Sequence, residues 1–562
     1  MVFELSILFF CVIKIIVLLH RLKIAIIMKK IAFALSLCGL FLFQACQSDD
    51  TEGGNEKVIL NTNSENLNKR INHEGSGVLD LVTPLSLSGK TADESAAGTF
   101  PMSLLAEVNP PVYNGKTLMA THVDVKDNYV YVSYNTQGDT YLGGLDVIDI
   151  SSPNNPQLVV QAILPNVDIS TVLYDNGKLY IAGAVDADIN GFETPAFAAQ
   201  MPLQSGLLTN DYVLNSLAGY VGTGLAVADS KYYAVSGNNG VVAKLDKTTN
   251  TVETTIAVND LRAMGRIDNK IVVLSGTDGV KVYNAGTLSL ESAFSTSADV
   301  AEAKRTIDFQ GNNVLVAQGY SGLGIYNLTT GVLQQSFAVP SAAVNIDQND
   351  VVTNAVSVNG DYVYVANGAA GISVYKTTNG VAALVGTIAL SGSSNYVKSA
   401  GDYIFVASGN GGLKIVKKVT VPSIDCSSFA TYNGGQNLNV NSNEDLKYQG
   451  SASLKTVNVN AKLTFCGSLA ISQGVNINSN GIFYTKGSLA QGQYNSNSSN
   501  FNVNGTWKIE GSVVIYGDIV MNSGAKLEFV GADSEITIYG KVTKNNGVTI
   551  TGTYRDTFNK LK

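Results

Sequence analysis

Residues Gly143–Gln161 read GGLDVIDISSPNNPQLVVQ. Two runs of alternating apolar residues flank a turn made of Ser, Pro and Asn. Alternation at a period of two marks a strand with one buried face. Ser, Pro and Asn each favour turns for a separate physical reason. The stretch is therefore a β-hairpin, and the fold depends on whether it stands alone or is one unit of a repeat.

The hairpin recurs. Its counterparts are GNNGVVAKLD from Gly237, GTDGVKVYN from Gly276, GYSGLGIYN from Gly319, GAAGISVYK from Gly368 and GNGGLKIVK from Gly409. A strand such as YVYVSY (Tyr129–Tyr134) or YIFVAS precedes each, behind a turn of the type KDN, IDN, NGD or AGD. The second Gly of successive units falls at 240, 279, 322, 371 and 412. This spacing is that of four-stranded propeller blades of roughly 40–50 residues. Seven units start near Thr121, Asp168, Gly222, Asn259, Ala301, Val351 and Ser394. The second is irregular, with strand KLYIAG, no G-x-x-G, and an insertion from Asp186 to about Tyr220. The seventh has no room for an outer strand before Pro422, and MSLLAEV (Met102–Val108) can supply one. Sealing a ring with a distant piece of chain removes its open sheet edges.

The segment Gly144–Val160, with its apolar strand ending in Asp and its Ser-x-Pro-x-x-Pro turn, resembles the LVIVD repeat of extracellular β-propellers. The other units keep the strand pattern and lose the Pro turn, having DKTTNTVE, NAGTLSLE or NLTTGVLQ in its place. The resemblance implies a surface propeller over residues 101–420 and carries no catalytic residue with it.

After Pro422 the texture changes. Asn becomes dense, and Gly-Ser steps recur at Gly450, Gly467, Gly487 and Gly511, separated by 17, 20 and 24 residues. Runs such as VNINSNGIFYT and SVVIYGDIVMNSGAKLEFVG lie between them. Residues 421–562 read as a β-solenoid-like domain with Asn/Gly corners, in which Asn can also stack in hydrogen-bonded ladders. A small antiparallel sandwich is the other reading. Cys426 and Cys466 are the only cysteines of the folded part, and in an exported protein they are candidates to pair.

The front end is an address. MKKIAFALSLCGLFLFQAC (Met28–Cys46) has a basic start, an apolar stretch too short to span a bilayer, and a closing Cys. It resembles a bacterial lipobox, and the acidic Gln47-Ser48-Asp49-Asp50 that follows resembles the surface-export signal of Bacteroidota lipoproteins. This implies a leader over 1–45 with its true start at Met28, lipidation at Cys46, and an outer-membrane anchor facing the cell exterior. The opposing reading makes Met1–Phe43 one or two membrane anchors. Residues 46–100, rich in Ser, Asn, Gly and Glu, read as a tether.

Composition narrows the chemistry. The chain is 45% hydrophobic and 15% charged, with 55 Gly and 26 Tyr, which suits β-structure with many turns. A net charge of −8 with no basic stripe argues against nucleic acid as a partner. Only His122 of the three histidines falls in the folded part, which argues against histidine metal clusters and Ser-His triads. No G-x-S-x-G, HExxH, CxxC or P-loop occurs.

Four groups of residues are candidates for a site. Asp186-x-Asp188-x-Asn190-Gly191 resembles the start of a calcium loop, but Phe197 stands where a twelfth-position Glu would be. Calcium is the one cofactor the sequence raises, and a solvated acidic turn is the plainer reading. His122 and Asp124 lie in the inner strand of the first unit, whose side chains line a propeller channel. Arg262, Arg266, Lys304 and Arg305 lie on or near other inner strands and form a candidate basic spot for an anionic ligand. Tyr141, Tyr320 and Trp507 are aromatics suited to stacking on sugars, or equally to packing.

The expectation is an all-β protein, a seven-bladed β-propeller followed by a β-solenoid-like domain. Its expected function is non-enzymatic binding or adhesion at the cell surface, with a glycan or an extracellular protein as ligand. The alternatives are a polysaccharide hydrolase or lyase with its site at the channel mouth, or a structural envelope component. Convergent carboxylates in the funnel would favour the enzyme.

Overall fold

The computed structural model describes residues 57–82, 96–138, 140–297, 303–420 and 425–562. The leader, Cys46 and the first part of the expected tether lie outside the described residues. No helix among the described residues is long and apolar enough to cross a membrane.

The repeats form seven antiparallel sheets, each one blade. Their inner strands are Met119–Lys126, Val167–Asp175, Gly224–Val227, Leu261–Ile267, Ile307–Gln310, Ala355–Asn359 and Tyr396–Ala400. The turn after six of the seven inner strands carries a left-handed residue. Asp127, Asn176 and Asp268 take φ of 53°, 43° and 50°, and Gly311, Gly360 and Gly401 take 58°, 60° and 56° in the equivalent turns. Asp, Asn and Gly are the residues that tolerate this conformation, and it gives a two-residue turn whose twist matches the strands.

The ring closes as the sequence requires. Met102–Val108 pairs antiparallel with Leu413–Lys418 and becomes the outer strand of blade 7. The second glycine of the G-x-x-G shows that the closure is equivalent to an ordinary blade. A Cβ on Gly371 would run into the carbonyl oxygen of Ile388, the end of the outer strand of blade 6. A Cβ on Gly412 would run into that of Val108 in the same way, although Val108 arrives from the other end of the propeller.

Two expectations are corrected. Residues 186–220 are not an insertion: Ala196–Gln204 and Val213–Ser216 are the third and fourth strands of blade 2. They escape the repeat pattern because an Ala-rich strand replaces the G-x-x-G entry. Residues 57–82 are not a free tether either. Ile59–Asn61 adds to the edge of blade 1, Ile71–Asn72 and Gly77–Leu79 add to the sealing strand, and Leu81–Val82 adds to blade 6. The segment is a strap that covers the outer edges of three blades, anchored by buried Val58, Leu67 and Val78. Arg70 locks it: its guanidinium donates to Asp146 Oδ1 at 2.9 Å, Asp146 Oδ2 at 2.6 Å, Gln161 Oε1 at 2.7 Å and the Asn109 carbonyl at 2.8 Å.

The C-terminal domain is a parallel β-solenoid. Asp445–Leu454, Lys462–Ile471, Ile482–Gln491 and Thr506–Ile515 stack in register, so that Gly450, Gly467, Gly487 and Gly511 form one file and the following serines another. Each Gly of the file has positive φ, and a Cβ on Gly467, Gly487 or Gly511 would strike the carbonyl of the Gly one rung before. A second sheet of six parallel strands closes the coil. On it, Asn502 donates to Asn476, Asn476 to Asn458 and Asn458 to Asn439, at 2.8 to 2.9 Å. Inside, Trp507 is fully buried, stacked on Phe501 at 4.1 Å, with its Nε1–H donated to Thr485 Oγ1. It is therefore a core residue and cannot serve as a sugar platform. Cys426 and Cys466 are joined, with Cα atoms 5.7 Å apart.

The two domains share one core. Ala470, Ala490 and Val514, on the outer side of the solenoid sheet, belong to the same apolar cluster as the strands of blade 7. The Pro turn of blade 1 is wedged into this junction. Asn154 donates to Glu535 at 3.0 Å and accepts from Lys417 at 2.8 Å, and its carbonyl accepts from the Tyr539 hydroxyl. The Pro153 carbonyl accepts from Tyr403 at 2.8 Å and from Lys417 at 3.1 Å.

Candidate functional site

The inner strands surround a cavity of about 480 Å³ on the ring axis. It is lined by His122, Asp124, Arg266, Asp268, Lys304, Asp308, Tyr396 and Lys398, among others. Arg266 is exposed and His122 and Lys304 are half-buried, with His122 Nδ1 itself shielded from solvent.

Inner-strand polar groups first stitch the blades together. Asp124 Oδ2 accepts the Tyr174 N–H at 2.7 Å, and Asp308 Oδ2 accepts the Val358 N–H at 2.7 Å. Thr121 donates to the Ile169 carbonyl and Thr223 to the Leu261 carbonyl, each at 2.8 Å. Each bond joins one blade to the next. The carboxylates are thus partly committed before any ligand arrives.

Lys398 Nζ lies 3.5 Å from Asp124 Oδ1. Its ammonium is held well above the ordinary lysine value by Asp124, Tyr396 and Asp308, against the opposing effect of burial. Burial raises the Asp308 carboxyl, offset in part by the Val358 and Phe309 N–H groups and by Lys398. Lys304 behaves oppositely. Its Nζ donates to the carbonyls of Thr121 at 2.7 Å and Ser170 at 2.9 Å, crossing the channel from blade 5 to blades 1 and 2. Burial pulls it down to about 7. His122 stacks on Tyr396 at 3.8 Å, and burial, Lys304 and Lys398 together pull its imidazole well below the ordinary value.

The structure brings His122, Asp124, Arg266 and Lys304 into one cavity and leaves two of the expected residues out of it. Arg262 Nε pairs with Asp260 at 2.7 Å. Arg305 is fully buried in the blade body, its Nε donating to the Ala317 carbonyl and its Nη2 to Thr296. The basic spot is accordingly Arg266, Lys304 and Lys398. Lys398, Asp308 and Tyr396 went unread in the sequence. Of the three aromatics, Tyr320 is exposed, Tyr141 half-buried and Trp507 buried.

The expected calcium loop is a one-turn helix, Ala187–Asn190. Asp186 Oδ1 caps it by accepting from the Asp188 and Ile189 N–H groups, and Asn190 donates its side chain to the Asp186 carbonyl. No group of three or more His, Cys, Asp or Glu placed to hold a metal occurs among the described residues.

Comparison with known proteins agrees with this architecture. Residues 199–420 match the family described as outer membrane protein assembly factor BamB, and residues 119–162 match the LVIVD repeat. No curated protein sequence matches the chain. Solved structures similar to it include the WD40 β-propeller domain of Doa1, at 13% identity and TM-score 0.43, covering 57% of this chain and 97% of that one. The computationally designed Ika8 protein gives 11% and 0.37, covering 54% and 98%. A chain of the mitotic checkpoint complex gives 12% and 0.40, covering 52% and 88%. The fold and its repeats define the class: a repeat β-propeller, joined here to a β-solenoid. Its BamB-like and LVIVD repeats support a protein-interaction scaffold.

Proposed function

We propose that this protein is a surface-exposed binding module, anchored to the outer membrane by lipid on Cys46, that takes a glycan or an extracellular protein at the mouth of its propeller funnel. The observation that carries the reading is the funnel itself. It is a polar cavity in a closed ring, where stitching bonds and Lys398 already engage the carboxylates. A rigid ring lets groups from several blades converge on one ligand without a large ordering cost. The solenoid, sharing a core with blade 7, stands as a fixed spacer or second face.

The enzymatic alternative draws on the same place. Asp308, raised by burial, and Asp124, paired with Lys398, are carboxyls in unlike environments, as acid/base pairs are. Calcium at Asp186, Asp188 and Asn190 remains part of the proposal only as an addition that the full chain would bind in titration.

The test sets the full chain against a glycan array and a panel of extracellular proteins, with assays for new reducing ends or unsaturated sugars on any glycan bound. Binding without turnover, weakened by Arg266→Ala with Lys398→Ala, is the expected outcome. Turnover abolished by Asp308→Asn would replace this reading with the enzymatic one. Labelled fatty acid should enter the wild-type chain and not Cys46→Ala, and protease added to intact cells should reach the propeller.

A further inference from the structure

We infer that the side of the funnel lined by Lys304, His122 and Tyr396 binds the carboxylate group of a monoanionic ligand, with Lys304 as its counter-ion and His122 Nδ1 as its second contact. The inference rests on the reading of the funnel as a binding site and names the ligand chemistry there.

The geometry has three parts. Lys304 Nζ is held in place by two backbone carbonyls, Thr121 and Ser170, and pairs with no carboxylate among the described residues. Lys398, Lys414 and Lys231 each pair with an acid, whereas Lys178 and Lys417, like Lys304, are held by carbonyl or amide oxygens alone. Next, His122 Nδ1 is shielded from solvent and has no hydrogen-bond partner. Buried polar atoms left unpaired are rare and costly. Finally, both groups flank one ring. His122 stacks on Tyr396 at 3.8 Å and Lys304 Nζ lies 5.1 Å from its centroid. The cavity therefore offers, beside one tyrosine ring, an amine without an acidic partner and an imidazole nitrogen without a hydrogen bond.

The charge around this point selects the ligand. The titratable and charged groups facing Lys304 are His122 from blade 1 and Tyr396 from blade 7, with Lys398, Asp124 and Asp308 further along the funnel. One ammonium and one N–H donor match the two oxygens of a carboxylate. A second negative charge on the ligand would face Asp124 and Asp308, against which the funnel sets Lys398 and Arg266. An apo amine with two carbonyl acceptors is satisfied as neutral NH2. An arriving carboxylate favours NH3⁺, so binding takes up a proton, and the proton goes to Lys304 Nζ.

The test titrates the full-length protein calorimetrically with D-glucuronate and with N-acetylglycine, which distinguish an acidic sugar from a peptide end as the source of the carboxylate. D-Glucose, N-acetylglycinamide and inorganic phosphate are the comparisons. At least one carboxylate should bind more tightly than its neutral counterpart and than phosphate. Its affinity should be about tenfold weaker at pH 8 than at pH 6, as follows from a lysine that titrates near 7. Titrations at pH 7 in buffers of different ionisation heat should show uptake of roughly half a proton. Lys304→Met should abolish binding, with circular dichroism checking that it folds. The proton count on the wild type decides the matter if it does not. Equal binding of neutral and acidic ligands, preference for phosphate, or binding without proton uptake overturns the inference. A neutral ligand bound equally by wild type and Lys304→Met but lost in Arg266→Ala overturns it while leaving the funnel reading intact. A funnel that binds nothing overturns both.

Discussion

Arg70→Ala tests whether residues 57–82 are a strap or a tether. The Asp146 side chain is fully buried in blade 1, and the Arg70 guanidinium is 15% exposed with both terminal nitrogens on that carboxylate. Removing the arginine leaves a buried carboxylate without its cation, a change that costs about 3–5 kcal/mol when one partner of a buried pair is deleted. The loss is local, because Arg70 joins the strap to blade 1 through Asp146 and Gln161 and to the sealing strand's exit through the Asn109 carbonyl. Native-state hydrogen exchange reads it directly. Amides of Ile59–Asn61 and Ile71–Asn72 should exchange roughly two to three and a half decades faster, at 1.36 kcal/mol per decade. Blades 3 and 4, which the strap does not touch, should be unchanged. Replacing both partners by apolar residues, Arg70→Met with Asp146→Leu, should restore much of the protection, because no charge is then left buried alone. Unchanged exchange in Arg70→Ala would refute the strap. Equal loss in the single and double variants would refute the electrostatic account of it.

Three further predictions follow from packing and charge. Trp507→Ala should cost the solenoid about 3–5 kcal/mol, since the indole is fully buried against Phe501, and denaturant unfolding followed by probes in each domain should show it. Asn154→Ala should lower stability by about 2–4 kcal/mol, as Lys417 and Glu535 each lose a hydrogen bond to a charged group, and should speed proteolysis at the junction. Lys304 gives a pH signature. Its folded value is about 7 against 10.5, so between these values the unfolded chain binds more protons and stability rises with pH. Lys304→Met should remove that rise between pH 7 and 10, as read by urea midpoints. A flat wild-type profile would show that this lysine stays charged.

The propeller was legible because its signals are local and repeated. The turns KDN, IDN, NGD and AGD each put a left-handed residue at one position, and the glycine pairs mark close approach to an outer strand. Even the sealing strand could be read, since Met102–Val108 is a plain apolar run beside a blade that lacked one. The strap could not. Its strands are two or three residues long, too short for a period, and their pairing is decided by sheet edges far along the chain. The funnel was half legible for a related reason. Alternation put His122 and Asp124 on the axis, but Arg305, expected in the basic spot, takes φ of 54° and is buried in the blade body. Lys398 and Asp308 become neighbours only when the ring closes, and no spacing in the chain announces that.

Blade 1 keeps the Ser-Ser-Pro-Asn-Asn-Pro turn that the later blades lack, and its contacts give a physical reason. In blades 3, 4 and 5 the equivalent turns begin with Asp246, Asn284 and Asn327, whose side chains accept from N–H groups two and three residues on. Those turns cap themselves, and the further bonds of the blade 3 and blade 4 turns stay within the propeller, as from Lys178 to the Lys247 carbonyl and from Tyr233 to the Ala285 carbonyl. In blade 1, Pro153 and Asn154 send their carbonyls and one amide outward, to Tyr403 and Lys417 of blade 7 and to Glu535 and Tyr539 of the solenoid. A turn stiffened by proline holds these acceptors in place with little entropy left to lose. The same hairpin that reveals the repeat is thus the one that departs from it, and it departs where the ring must be joined to something else. Because that joint also contacts blade 7, a break there would loosen the closure of the propeller and the seating of the solenoid together.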